Sequence, residues 1–227
     1  MNTAVLGTGI VAKTLAARLA AAGHAVTLGT RDVAATRART APGRMGDPPV
    51  PEFLTNNPAI QLATFADAAR GADLVILAVE GNVALSVLDQ AGADALAGKV
   101  LVDLTNPLDV SAGMPPRLFV ANDDSLGEQI QRAYPASHVV KTLNTVSAHL
   151  MVDPRALAGG DHTMFLCGDD PGAKAVVLRV LREDFGWTDL LDLGDISNAR
   201  GMEATLLLWT RVWIATGSAN FAWKVVR

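Results

Sequence analysis

The sequence predicts an α/β fold, built on a doubly wound and mostly parallel sheet, for three reasons. Short apolar runs alternate with helical patterns along most of the 227 residues. Some runs, such as Leu74–Val79, are continuously apolar, which is typical of strands buried on both faces. A glycine-rich turn joins the first apolar run to the first helical pattern. This alternation indicates parallel strands connected by helical crossovers.

The first unit of the chain is a strand, a glycine turn, a helix and a second strand. The strand Thr3–Leu6 enters Gly7-Thr8-Gly9-Ile10-Val11-Ala12, helix-forming residues follow, and Ala25–Leu28 is apolar again. In the G-x-G-x-x-A pattern, the first glycine permits a tight turn and the second lets the backbone approach a pyrophosphate. The free N–H groups at the helix start favour phosphate. The pattern predicts a Rossmann-like, dinucleotide-binding unit.

The end of the second strand distinguishes NAD from NADP. An NAD site places a carboxylate there for the ribose 2′-hydroxyl, whereas an NADP site places a cation for the 2′-phosphate. This strand ends in Gly29-Thr30-Arg31 and Arg37 follows, and arginine matches phosphate geometry. Asp32 comes one residue too late for the ribose and suits a helix cap. The alternative is that Arg31 is a solvated loop cation, but the pattern favours NADP(H).

Composition narrows the class of protein. A hydrophobic fraction of 50% and a charged fraction of 19% are sufficient for a sizeable core. The net charge of −4 argues against nucleic acid or an anionic membrane surface as the main partner. Cys167 is the single cysteine, which suits a reducing compartment, and its apolar surroundings predict a buried, structural thiol.

Neither end of the chain predicts a membrane segment. The N-terminal apolar stretch contains Lys13 and Arg18 and lacks a cleavage site for a signal peptide. The C-terminal stretch is interrupted by Arg211. We therefore expect no membrane association and a cytoplasmic location.

The chain divides into two predicted parts. Residues 1–137 should form an NADP-binding Rossmann domain, and residues 138–227 a small C-terminal α/β extension that completes the sheet and the substrate pocket and ends in an apolar helix. Residues 41–58 are rich in Pro and Gly and predict a loop. Capping boxes at Thr64 and Ser125 predict two helix starts.

Ligands of such a sheet bind beyond the carboxyl ends of the strands. Five loops should therefore meet at one crevice. For the cofactor we expect contacts from Gly7, Thr8, Gly9, Ile10, Val11, Thr30, Arg31, Arg37, Ala78, Val79, Glu80, Asn82, Thr105, Asn106 and Pro107. The loop containing Asn144, Val146, Ser147 and Ala148 should face the substrate that exchanges the hydride.

The sequence predicts no catalytic side chain and no metal site. It contains no Ser-His-Asp order in a nucleophile-elbow context and no Cys/His cluster with zinc spacing. Of the four histidines, His149 lies nearest the predicted substrate loop. A crevice without an acid or base fits hydride transfer between two cofactors, since their reactive atoms carry the chemistry.

Several motifs together resemble the coenzyme F420-dependent NADP oxidoreductases and the related domain of the STEAP-type metalloreductases. They are Gly7-Thr8-Gly9, Gly29-Thr30-Arg31, Val140-Lys141-Thr142-Leu143-Asn144-Thr145, Gly168-Asp169-Asp170, and Gly194-Asp195-Ile196-Ser197-Asn198-Ala199-Arg200 with Glu203. The resemblance covers nearly the whole chain. It implies that NADP(H) lies on the first four loops and that the deazaflavin F420 stacks against the nicotinamide, beside backbone groups of Val146-Ser147-Ala148.

The chain also departs from that family at a few positions. The archaeal members carry His where this chain has Asn144, Trp near Val79-Glu80, and Pro in place of Ser147. The pair Asn144-Thr145 is closer to the metalloreductase branch, which uses an ordinary flavin. The hydride acceptor is therefore F420 or a flavin such as FMN or FAD, and a third interpretation is a non-catalytic NADP-binding regulatory module.

The C-terminal stretch predicts a homodimer. Between Ala204 and Trp223, apolar residues occupy nearly every helical face and include three of the four tryptophans. A surface helix needs only one apolar stripe, and a surplus with aromatic anchors is typical of an interface. The alternative is that loops of the same chain, such as residues 109–123, enclose the helix.

Overall fold

A mixed sheet of eight strands organises the computed structural model, which describes residues 1–227. The strands of this sheet are β1 (Asn2–Leu6), β2 (Ala25–Thr30), β3 (Gln61–Thr64), β4 (Leu74–Leu77), β5 (Val100–Asp103), β8 (His138–Thr142), β9 (Thr163–Cys167) and β10 (Asp189–Asp192), and β6 (Leu108–Asp109) and β7 (Arg117–Leu118) form a separate hairpin. The spatial order in the sheet is β10-β9-β8-β5-β4-β1-β2-β3.

Helices connect the strands and cover both faces. They are α1 (Ile10–Ala21), α2 (Val33–Arg37), α3 (Val50–Asn56), α4 (Phe65–Arg70), α5 (Ala84–Ala91), α6 (Ala93–Leu96), α7 (Leu126–Ala133), α8 (Ala148–Val152), α9 (Pro171–Arg179) and α10 (Ala199–Thr216). Adjacent strands are parallel except β8 and β9, which pair Lys141 with Cys167 and Thr142 with Leu166 in antiparallel register. The predicted Rossmann-like, mostly parallel sheet is therefore confirmed.

Two apolar clusters fill the space between the sheet and its helices. Alternate residues of β1 belong to different clusters, Val5 to one and Ala4 and Leu6 to the other, because successive side chains of a strand point to opposite faces. The first cluster contains 26 buried residues and the second 22, so both faces of the sheet are covered. Cys167 is buried, and burial raises the pKa of its thiol to about 12, so it is an unreactive core residue as predicted.

Local signals predicted several helix starts. Thr64 caps α4 by accepting a hydrogen bond from the Asp67 N–H, and Ser125 caps α7 in the same way from Glu128. The prediction of a loop over residues 41–58 was partly wrong, since α3 lies within it. Proline supports this helix, because a proline in the first turn of a helix loses no hydrogen bond there.

The predicted C-terminal helix is shorter than expected. α10 ends at Thr216, where Gly217 adopts a left-handed conformation with φ of 67°. The tail then returns to the sheet, and the Thr163 N–H donates to the Trp223 carbonyl at 2.8 Å. The prediction of a helix through Phe221 and Trp223 was therefore wrong. None of the helices combines the length and apolar character needed to cross a membrane.

Some apolar side chains of the C-terminal stretch pack against one another, and others are exposed on the surface. Phe221 packs between Trp209 and Trp223, with ring centroids 5.1 and 5.9 Å apart, so the tail covers part of α10. Four large apolar side chains of α10 stay exposed, namely Leu207 at 42%, Leu208 at 56%, Trp213 at 37% and Ile214 at 52%.

Candidate cofactor-binding crevice

The crevice begins at Gly7, directly after β1. Gly7 has φ of +129°, and a Cβ at this position would lie 2.3 Å from the Ala78 carbonyl oxygen. The Gly7 N–H also donates to the Gly29 carbonyl at 3.0 Å. A residue with a side chain would be strained here and would collide with backbone. The glycine thereby brings the ends of β1, β2 and β4 into contact.

Gly9 supplies an open backbone surface at the start of α1. Gly9 is the N-cap residue and has no side chain that could cap the helix. A Cβ at this position would meet no atom within 4 Å. The first N–H groups of α1 therefore face space rather than a capping side chain. Ile10 is exposed and Thr8 and Val11 are half-buried. A narrow turn beside free helix N–H groups fits a pyrophosphate.

The end of β2 carries the predicted NADP-selective residues. Thr30 is buried, and its hydroxyl lies 2.8 Å from the Thr36 hydroxyl, which ties α2 to the strand. Arg31 and Arg37 are exposed beside it. Asp32 accepts a hydrogen bond from the Ala35 N–H at 2.9 Å and caps α2, as predicted.

The loops after β4, β5 and β8 meet on the other side of Gly7. A Cβ on Gly81 would lie 2.0 Å from the Asn106 carbonyl oxygen. The side chain of Asn106 donates to the Asn144 carbonyl at 3.1 Å, and the Asn144 amide donates back to Asn106 Oδ1 at 2.9 Å. All five predicted loops are thus linked through direct contacts.

The individual residues of these loops differ in exposure. In the loop after β4, Ala78 and Val79 are half-buried, whereas Asn82 and Glu80 are exposed. Glu80 pairs with Arg44 at 2.6 Å, and both side chains are exposed. In the loop after β5, Thr105 and Pro107 are buried and Asn106 is half-buried.

The predicted substrate loop begins with a strained backbone. Leu143, directly before Asn144, has φ of 62°, which is unfavourable for a branched side chain. Asn144 also donates to the Met202 carbonyl at 3.1 Å, so its amide connects the loop to α10. Asn144 Oδ1 and the Thr145 hydroxyl are buried without a hydrogen-bond partner. Buried polar atoms without a partner are rare in folded proteins.

The rest of this loop is more accessible. Val146 is buried, Ser147 and Ala148 are half-buried, and His149 is exposed. The His149 ring lies 3.3 Å from the Ser147 hydroxyl and 3.0 Å from Asn220 of the C-terminal tail. Of the other histidines, His162 packs edge-on against Trp187 in the core.

A buried cluster of charges lies under the loop after β5, and the sequence analysis missed it. Lys141 Nζ lies 2.8 Å from Asp103 and 2.7 Å from Glu203, and all three side chains are at most 2% exposed. The same ammonium donates to the Thr105 carbonyl at 2.6 Å. Asp103 accepts from the Thr105 N–H and hydroxyl at 2.8 and 2.6 Å. A lysine inside an apolar strand was the available signal.

Glu203 also connects this cluster to α7. Its carboxylate accepts from the N–H groups of Leu126 and Gly127 at 2.9 and 3.0 Å. Burial raises the pKa of the Glu203 carboxyl, while Lys141 opposes that shift. Burial alone would lower the pKa of Lys141, but the carboxylates of Asp103 and Glu203 outweigh it and the pKa is raised. Lys141 is therefore a permanent cation between two carboxyl groups.

Comparisons with known proteins identify the family of this chain. A family model described as NADP oxidoreductase, coenzyme F420-dependent, matches residues 2–107. The F420-dependent NADP reductase of Methanothermobacter marburgensis is 30% identical over 207 residues, which cover 89% of this chain and 88% of that protein. The chain belongs to the F420-dependent NADP oxidoreductase family.

Two further relatives show how far the similarity extends. A crystal structure of a protein from Arthrobacter sp. FB24, described as an F420-dependent NADP reductase, is 53% identical, superposes with a TM-score of 0.95, and covers 100% of both chains. The rat metalloreductase STEAP3 is 30% identical over 210 residues, or 92% of this chain. The chain spans only 37% of the length of that metalloreductase.

The late motif that resembles the family has a structural role in this member. Arg200 forms two hydrogen bonds to the Glu128 carboxylate at 2.8 and 2.6 Å, and Ser125 donates to the same carboxylate at 2.7 Å. This pairing with Arg200 lowers the pKa of Glu128 despite its burial. Together with Glu203, Arg200 fixes α10 to the start of α7.

Proposed function

We propose that this oxidoreductase transfers a hydride between NADP(H) and the deazaflavin coenzyme F420. The observation that supports this most is its similarity to the Methanothermobacter marburgensis F420-dependent NADP reductase over most of both chains. The crevice fits a dinucleotide, because Gly7 permits the tight turn after β1 and Gly9 leaves open backbone surface at the start of α1. We further propose that residues 1–137 bind NADP(H), that residues 138–227 supply the acceptor side, and that the protein acts in the cytoplasm.

Each of the cofactor-binding loops would bind a different part of NADP(H). The turn from Gly7 to Val11 would bind the pyrophosphate through N–H groups. Thr30, Arg31 and Arg37 would surround the 2′-phosphate, with the arginines giving charge-assisted hydrogen bonds. The loops Ala78–Asn82 and Thr105–Pro107 would line the ribose and the nicotinamide.

The substrate loop would orient the acceptor against the nicotinamide. When both cofactors are bound, the nicotinamide supplies the hydride and the deazaflavin accepts it. The chain itself would contribute the backbone of Val146-Ser147-Ala148 and the rigid support of Asn144, which is held by Asn106 and Met202. This role requires orientation and exclusion of water rather than an acid or base.

An assay with purified acceptors tests the proposed reaction. NADPH oxidation and acceptor reduction are followed together with F420, FMN and FAD as separate acceptors. We expect turnover with F420. Turnover with FMN or FAD but not with F420 would show that the acceptor is a flavin and not F420. Tight NADPH binding without turnover on any of the three acceptors would indicate a regulatory module instead.

The NADP preference depends on Arg31 in this proposal. Arg31→Ala should weaken NADPH binding by about 1.5–3 kcal/mol, as for a lost charge-assisted hydrogen bond, and leave NADH binding nearly unchanged. Calorimetric titration of both nucleotides measures this. Arg155→Ala, at an exposed arginine after α8, is the matched control. Equal affinity of the unmodified protein for NADPH and NADH would contradict the assignment of the site.

We also infer a homodimer that uses the exposed side of α10. Leu207, Leu208 and Ile214 are exposed there, and Phe119, 46% exposed, follows the hairpin that contacts α10. Apolar residues exposed together in this way are typical of an interface.

Sedimentation equilibrium tests the homodimer. We expect a mass near twice 23.7 kDa at micromolar concentration and a shift to the monomer in Leu208→Asp. Met45→Asp changes a side chain that is 71% exposed on a distant loop and should keep the dimer. A monomer in the unmodified protein would show that the tail covers enough of α10.

A further inference from the structure

The buried cluster Asp103–Lys141–Glu203 carries two carboxyl groups and one ammonium group, all with exposures of 2% or less. With both carboxyl groups ionised, it holds one excess negative charge. The carboxylates are fully engaged, since Glu203 accepts from Lys141 and from two N–H groups of α7, and Asp103 from Lys141 and Thr105. The start of α7 offsets only part of the excess, because a helix N-terminus is equivalent to about half a positive charge.

The position of this charge relative to the crevice is fixed by direct contacts. Lys141 and Asp103 both bind the backbone of Thr105, at the start of the loop after β5. The switch point of the sheet, where the strand order reverses, lies between β1 and β4. The proposed phosphate-binding turn lies at β1 and the residues proposed for the 2′-phosphate lie at β2, both on one side of this point. A dinucleotide that crosses the switch point must therefore place its nicotinamide on the other side, toward β5 and β8.

We propose that the Asp103–Lys141–Glu203 cluster sets the preference of the site for NADP⁺ over NADPH. The nicotinamide ring is positively charged in NADP⁺ and neutral in NADPH, whereas the rest of the two molecules is identical. A fixed negative charge under the nicotinamide loop stabilises only the charged ring, in surroundings where water screens it little. The cluster thus favours hydride transfer away from NADPH. This inference rests on the proposed function, since it requires NADP(H) in the crevice.

The test compares the binding of both nucleotides to Glu203→Gln. Glutamine keeps the size of the side chain and one acceptor oxygen for α7, but it removes the negative charge. We expect NADP⁺ to bind about tenfold more weakly, which is the change that Coulomb's law gives for two unit charges about 12 Å apart at an effective dielectric constant of about 20. NADPH binding should stay within about twofold, so the ratio of the two dissociation constants changes.

Two other variants complete the experiment. Asp103→Asn makes the same change of charge and should move the ratio in the same direction, so it replaces Glu203→Gln if that variant does not fold. Asp192→Asn removes an exposed carboxylate at the end of β10, two strands from β8 in the sheet, where Lys174 pairs with it at 2.9 Å. Solvent screens this charge, so the ratio should stay unchanged.

The outcomes separate this inference from the proposed function. A ratio that changes in Glu203→Gln but not in Asp192→Asn supports the electrostatic role. Equal weakening of both nucleotides, or no change in either, overturns it and leaves the cluster with a structural role. If the unmodified protein binds neither nucleotide, the proposed function fails as well.

Discussion

Lys141→Met should destabilise the protein by about 3–5 kcal/mol, the cost of removing one partner from a buried ion pair. Methionine fills nearly the same volume, but it leaves Asp103 and Glu203 facing each other without a cation. The Thr105 carbonyl also loses its donor. Chemical denaturation monitored by tryptophan fluorescence measures the free energy of unfolding directly, because Trp187 is buried in the core.

The stability of the Lys141→Met variant should decrease as the pH rises. Burial already raises the pKa of the Glu203 carboxyl, and Lys141→Met removes the ammonium that opposes this shift, so the pKa stays above its value in the unfolded chain. The folded variant then binds more protons than the unfolded one, so its stability falls as the pH rises above the unfolded pKa and recovers at acidic pH. Arg70→Met, which removes the exposed partner of the exposed Asp67, should cost less than about 1 kcal/mol. A similar loss in both variants would contradict the burial argument.

Gly7→Ala should lower both stability and cofactor affinity. Alanine is strained at φ of +129°, and its Cβ would overlap the Ala78 carbonyl oxygen, which is backbone and cannot turn away. The β1 turn must therefore move. A displacement of about 1 Å at a reacting site costs on the order of 100-fold in rate, so we expect a loss of about that size in kcat/KM with NADPH.

Gly9→Ala is the matched comparison for that experiment. A Cβ at Gly9 meets nothing within 4 Å, and the residue has φ of −79°, which alanine adopts freely. We expect the melting temperature to stay unchanged while NADPH affinity falls, because the methyl group would occupy the surface offered to the pyrophosphate. If Gly9→Ala bound NADPH normally, the pyrophosphate would not lie on this turn.

The parts of the fold that sequence could predict depend on neighbouring residues. The glycine turn, the caps at Thr64 and Ser125, and the Asp32 cap each involve residues within a few positions of one another. Because parallel strands end on the same edge of a sheet, these local assignments were enough to bring the five loops together. The positions of most of the predicted cofactor and substrate residues around the crevice follow from that rule.

The parts that sequence could not predict depend on contacts between distant segments. The Asp103–Lys141–Glu203 cluster requires β5 to pair with β8 and α10 to pack behind both strands. These three residues are too far apart in the sequence for a local pattern to predict their contact. The reversed direction of β9 is set by the same long-range packing. The short α10 was different, since Gly217 was visible in the sequence and outweighed the apolar residues that follow it.

α10 carries an exposed apolar side and, through Glu203, one member of the buried charge cluster under the loop after β5. A rigid helix cannot shift on one side without shifting on the other. Association of subunits through this helix and occupancy of the crevice would then be thermodynamically linked, and linkage is reciprocal. Any factor by which saturating nucleotide changes the dissociation constant of the dimer would equal the factor by which dimerisation changes the affinity for nucleotide.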